Sequence, residues 1–133
     1  MPDATLRFEL FSRDVAAARA FLEGALGFVA TREDGGYAEM SLGAVRIGLA
    51  DARTLPPEHP LKPTSQDELL GRGVEIVIET DDVETAYVRA AASGSAIGVP
   101  LARRPWGLTD FRLLSPDGYY LRVPRGASLP PRG

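Results

Sequence analysis

Apolar and polar residues alternate over residues 5–13, with Leu6, Phe8 and Leu10 on one side and Arg7, Glu9 and Phe11 on the other, which is the period of a strand. Asp14 offers the short acceptor side chain of a helix N-cap. After it Val15, Ala18, Phe21, Leu22, Ala25 and Leu26 return at steps of three and four, so a helix is predicted over residues 14–25, closing near Gly27. Three short strands follow, at 28–33, 37–42 and 44–50, parted by the turn signals Asp34-Gly35-Gly36 and Gly43. The first half, residues 1–50, reads βαβββ.

Residues 51–72 break both periodicities. They hold Pro56, Pro57, Pro60 and Pro63, the one histidine (His59) and the one lysine (Lys62), and are read as a linker or long loop. The pattern then restarts: Val74, Ile76 and Ile78 alternate with Glu75, Val77 and Glu79. Asp82 caps a predicted helix to about residue 92 that carries Val83, Ala86, Tyr87 and Ala90 on one face. Strands are expected at 96–101, 109–114 and 119–123, the last two joined by Ser115-Pro116-Asp117-Gly118. Residues 73–124 are thus a second βαβββ module, and 125–133 a tail. At an offset of 68 residues Leu6 falls on Val74, Phe8 on Ile76, Leu10 on Ile78, Asp14-Val15 on Asp82-Val83 and Ala18 on Ala86, the signature of an internal duplication. The implied class is α+β in a single structural domain, with mixed rather than mainly parallel sheets.

Composition narrows the chemistry. With 133 residues, 44% hydrophobic and 25% charged, the chain can bury a core, and no apolar run approaches the roughly 18 residues of a membrane span. The start MPDATLRFEL lacks an apolar stretch of signal-peptide type, so a cytoplasmic protein that does not engage membrane is the expectation. Without cysteine there is no disulfide, thiolate nucleophile or zinc-thiolate site, and one histidine excludes the common Ser-His and multi-His arrangements. The net charge is −3 and the basic residues are scattered, which argues against a nucleic-acid partner. No phosphate-binding glycine loop occurs, and Asp81-Asp82 is accounted for by the second helix N-terminus.

Two stretches resemble the vicinal oxygen chelate superfamily, which includes glyoxalase I, bleomycin-resistance proteins, extradiol dioxygenases and related isomerases. FELFSRDVAAARAFLEGALGF (residues 8–28) is similar to the family's strand, Asp, helix and "F-Y-x-x-x-L-G-F" entry, with Phe21-Leu22 for Phe-Tyr. PWGLTDFRLLSPDGYYLRV (residues 105–123) is similar to its "G-x-x-x-F-x-x-x-D-P-D-G-N-x-x-E-L" ending, with Ser115 for the first Asp and Tyr119 for Asn. The resemblance implies two βαβββ modules whose curved mixed sheets surround a cleft, with helices on the outer faces. It also implies a homodimer, because such modules often complete their clefts across a subunit interface.

Metal-dependent members place ligands on the first and last strands of each module. Carried over, the first-strand positions fall on Arg7 and Glu75, the last-strand position of the second module on Arg122, and its counterpart in the first at Ile47 or Gly48. Guanidinium has no lone pair to offer and stays charged, and one carboxylate cannot complete a divalent site, so no metal and no cofactor is expected. Glu9, which shares strand parity with Arg7, and Glu39 are the residues that could rescue one. The cleft is expected to be lined by Arg7, Glu9, Glu75, Arg122 and Trp106, with Tyr37, Phe111 and Tyr120 as further candidates. Guanidinium groups there can clamp an anionic oxygen, and Glu75 can accept from an amine or act as a base. The plainer alternatives are that Arg7 and Glu75 pair with each other, that Trp106 closes the end of a sheet, and that His59 is a solvated loop residue rather than part of a lid. The expected function is a drug-sequestering binder of a small aromatic or amphipathic molecule. The alternative is a lyase, isomerase or dioxygenase with an unconventional metal site or none. Whether the chain is an enzyme stays open at this point.

Overall fold

The computed structural model describes residues 2–126. In order these are β1 (Phe8–Ser12), α1 (Val15–Phe21), a π-helical turn (Leu22–Leu26), β2 (Val29–Asp34), β3 (Tyr37–Leu42), β4 (Val45–Asp51), a 3-10 turn (Ala52–Thr54), β5 (Glu75–Val77), α2 (Val83–Ala92), β6 (Ile97–Arg103), β7 (Thr109–Leu114) and β8 (Tyr120–Pro124). They form two four-stranded sheets, β1-β4-β3-β2 and β5-β8-β7-β6. In each sheet the module's first strand runs parallel to its last, and the other neighbours are antiparallel. The duplicated α+β architecture predicted from the alternation is therefore present, with one mixed sheet per module.

Each sheet has one apolar face. Ile47 and Leu49 of β4, Ala38 and Met40 of β3, Ile76 of β5, Phe111 and Leu113 of β7 and Leu121 and Val123 of β8 are buried, as are Ala18, Phe21, Val83 and Ala90 of the helices. Asp14 accepts from the Ala17 N–H at 3.0 Å and Asp82 from the Thr85 N–H at 3.1 Å, so both predicted N-caps function as such. The first helix departs from the prediction at its far end, where regular α-geometry stops at Phe21 and the chain widens into the π turn. Gly27, at φ +82°, then reverses the chain so that the N–H groups of Gly27 and Phe28 reach the carbonyls of Glu23 and Leu22. Arg89 of α2 donates to the Glu23 carbonyl at 2.9 Å, placing a cation of the second module at the end of the first module's helix.

Two details differ from the sequence expectation. Leu6 and Val74, equivalent under the repeat and expected on the core face, lie outside the strands and are 70% and 52% exposed. The apolar face of each module starts one strand position later, at Phe8 and Ile76, because no helix reaches over the earlier position. Residues 51–72, read as a linker, are also fastened to both modules. The buried Asp117 accepts from Ser12 Oγ at 2.6 Å and from the Arg13 N–H at 2.9 Å, and its carbonyl accepts from the Leu70 N–H at 3.0 Å. At this crossing a Cβ on Gly71 would stand 2.7 Å from the Tyr119 Cα, so only glycine allows the loop so close to the β7–β8 turn. Of the tail at 125–133, Arg125 bridges Thr80 alongside β8, and residues 127–133 lie outside the described residues.

Candidate functional site

The helices cover one face of each sheet, and the opposite faces carry the polar residues. Strand parity puts Arg7, Glu9, Tyr37, Glu39 and Gly48 on the first such face and Glu75, Asp110, Arg112, Tyr120 and Arg122 on the second.

On the first face Glu9, Gly48 and Glu39 occupy one row across three strands. Arg7 sits against both carboxylates, 2.9 Å from Glu9 and 3.6 Å from Glu39. The Tyr37 hydroxyl donates to Glu9 at 2.8 Å. Partial burial and then this bond to a carboxylate raise the Tyr37 pKa above the ordinary phenol value. Gly48 makes the cluster possible, because a Cβ there would collide with the Tyr37 hydroxyl and stand 2.6 Å from Glu9 Oε2. The register also fixes the counterpart of Arg122: Val77 pairs with Arg122 as Glu9 pairs with Gly48, so Gly48 and not Ile47 is its equivalent.

On the second face Arg122 Nε donates to Glu75 at 3.0 Å. Arg7 and Glu75 therefore do not pair with each other; each finds its partner within its own sheet. Beside them lies a group that sequence reasoning missed. Asp110 has no exposed surface; it accepts from Arg104 Nε at 2.7 Å and lies 3.6 Å from Arg112 Nη2. Arg104 also donates to the carbonyls of Pro100 and Asp110, at 2.8 and 3.1 Å. A hydrogen bond with Tyr120, and then the Asp110 charge, hold the Arg112 guanidinium even more firmly protonated than usual. Asp110 Oδ2 and Arg112 Nε are buried with no hydrogen bond among the described residues. Parity could have exposed this group, since Asp110 and Arg112 flank the apolar Phe111 in a strand whose other face is core.

Phe111 must be withdrawn as a cleft residue. It is wholly buried under α2 with its ring edge-on to Tyr87 at 5.2 Å, because it has the parity of Leu113 and Val123 rather than that of Arg122. Trp106 stands in the β6–β7 connection and is 60% exposed, so it does not seal a sheet end. The His59 ring lies 6.3 Å from that of Phe11, at the end of the first polar face, and its Nδ1 accepts from the Leu61 N–H. Among the described residues no three His, Cys, Asp or Glu side chains converge as a metal-holding group, and no helix is long and apolar enough to cross a membrane.

Residues 5–123 match the family model of the Glyoxalase/Bleomycin resistance protein/Dioxygenase superfamily. The chain belongs to this superfamily. No match to a curated protein accompanies that finding. Among solved structures, a protein of unknown function from Agrobacterium tumefaciens str. C58 is 25% identical with a TM-score of 0.74, covering 95% of this chain and 96% of its own. A bleomycin resistance determinant encoded on the transposon Tn5 is 22% identical with a TM-score of 0.69, covering 94% and 99%. A lactoylglutathione lyase, also from Agrobacterium tumefaciens, is 22% identical with a TM-score of 0.69, covering 95% and 96%. The last two likenesses concern the fold, and superfamily members on this fold support both binding and catalysis.

Proposed function

We propose that the chain is a metal-independent member of the superfamily that binds a small aromatic or amphipathic molecule on the polar faces of its sheets. The observation that carries this reading is the donor set. Where metal-dependent members hold ligands, this chain has Arg7, Gly48, Glu75 and Arg122, and the Glu75 carboxylate is engaged by Arg122. Two guanidiniums and a glycine offer a divalent cation no side-chain lone pair and considerable repulsion, so these residues do not fit a metal. They do suit a guest with a carboxylate, phenolate or amide oxygen, to which a guanidinium presents paired donors. Tyr37, Tyr120 and the exposed Trp106 supply aromatic surface, and stacking on such rings contributes about 0.5–1.5 kcal/mol beyond burial.

Pairing also bears on the reading that the site forms between two copies. Every ion pair that the described residues make on these faces stays within its own sheet. A homodimer that sets one polar face against the other would close the cleft. The cytoplasm is the compartment we assign as part of this reading.

A second reading, catalysis by a lyase, isomerase or dioxygenase mechanism, is favoured by the Glu9–Gly48–Glu39 row, in which displacing Arg7 would leave two carboxylates without their guanidinium. A thermal-shift panel of planar aromatic compounds bearing a carboxylate or an amine separates the two. The binding reading predicts a saturable rise in Tm without added metal. Arg122→Gln should diminish the rise, and Trp106→Ala should weaken binding while leaving the unliganded Tm within a few degrees. Stabilisation that requires a divalent ion, or turnover of a panel compound, would replace this reading with the second.

A further inference from the structure

Residues 51–72 fold back over the junction of β1 and α1 and border an open pocket of about 360 Å³. Its polar lining is Arg13, Arg53, Lys62, Thr64, Ser65 and Gln66, with no carboxylate, in a chain whose net charge is −3. Arg53 is committed to Asp51, which accepts from its Nη2 at 2.7 Å. The other two cations form no ion pair among the described residues. Arg13 donates one bond to the Ser65 carbonyl at 2.8 Å, and the Lys62 ammonium reaches only the carbonyls of Ala52 and Arg53, at 3.5 and 3.3 Å.

We infer that this pocket is a binding site for a small phosphorylated metabolite, a phosphate monoester whose dianionic head lies between Arg13 and Lys62 and hydrogen-bonds to the Ser65 hydroxyl. A guanidinium fork and a mobile ammonium are the usual complement of such a head, and the volume admits a metabolite-sized body beyond it. The loop already holds one anion beside the pocket. The Glu68 carboxylate accepts from the backbone N–H groups of Thr64 and Ser65, the latter at 3.1 Å, and from the Thr64 hydroxyl at 3.2 Å. The two backbone bonds, then the hydroxyl and the nearby Arg13 charge, keep its pKa below the ordinary carboxylate value. Because the loop is fastened to Asp117, it can present these donors without first being ordered.

Lys62 is the only lysine, so reductive methylation with ¹³C-formaldehyde labels Lys62 and the N-terminal amine alone and keeps the charge of both. Titrated with glycerol phosphate at constant ionic strength, the Lys62 signal should move saturably, and it should stay put with chloride. Arg13→Gln should weaken binding by roughly tenfold or more, since the Arg13 backbone rather than its side chain holds Asp117, whereas Arg32→Gln on β2 should not. Arg53→Gln is the second variant if Arg13→Gln melts early, and it should weaken binding too, because the Asp51 carboxylate it releases lies near enough to Lys62 to compete for its charge. A Lys62 signal that ignores the phosphate ester, follows chloride equally, or keeps its affinity in both pocket variants would overturn the assignment.

Discussion

Asp110 has no exposed surface, and among the described residues Arg104 gives it its only short ion pair. Removing the guanidinium would leave a buried charge with Arg112 at 3.6 Å as its remaining neighbour. Arg104→Met should therefore destabilise the fold by about 3–5 kcal/mol. Adding Asp110→Leu to that variant should restore part of the loss, because it removes the unpaired buried carboxylate, while Arg112 then keeps its charge without this neighbour. Urea denaturation of the two variants measures both effects. The same residues show what a linear reading can and cannot reach. Alternation identified Arg7, Glu9, Glu75, Tyr120 and Arg122 as one side of their strands, and they do lie opposite the core. Phe111 was misassigned by residue type although its parity with Leu113 placed it inside. Arg104 was out of reach, since the six-residue return from β6 to Asp110 depends on hairpin geometry.

At the level of elements, caps and turns were legible because their chemistry is local: Asp14, Asp82, Gly27 and the Gly35-Gly36 hairpin act where the sequence puts them. Gly35 and Gly36, at φ +47° and +90°, take the two positive angles that a tight hairpin needs. The loop at 51–72 was not legible, because its order comes from partners far along the chain. Ser12 lies 105 positions from Asp117, and nothing near either residue announces the bond. The steric margin at that crossing is testable with one methyl group. Gly71→Ala would press a Cβ against backbone that cannot turn aside, so it should lower stability by about 1–3 kcal/mol. Hydrogen exchange should then show faster exchange of the Leu70 amide. Unchanged exchange there would mean that the loop is held by something other than the Asp117 crossing.

For the whole molecule, both modules share one continuous core. Helix α2 packs on the π turn of the first module and Arg89 caps it, so the halves should unfold together as one cooperative unit. Among the described residues their polar faces do not exchange ion pairs with each other, which leaves each to meet a second copy, and we expect a homodimer. Light scattering at micromolar concentration in low and high salt checks this, and a monomer in both would remove the shared-cleft arrangement. The central claim is that the donor set at Arg7, Gly48, Glu75 and Arg122 has given up metal for direct recognition of a guest. Its most direct test is the metal content of protein purified without chelator, followed by calorimetric titration with zinc, manganese and nickel. The account predicts substoichiometric metal and no saturable heat for any of the three ions. Near-stoichiometric metal, held tightly and lost in Glu9→Gln or Glu39→Gln, would contradict it.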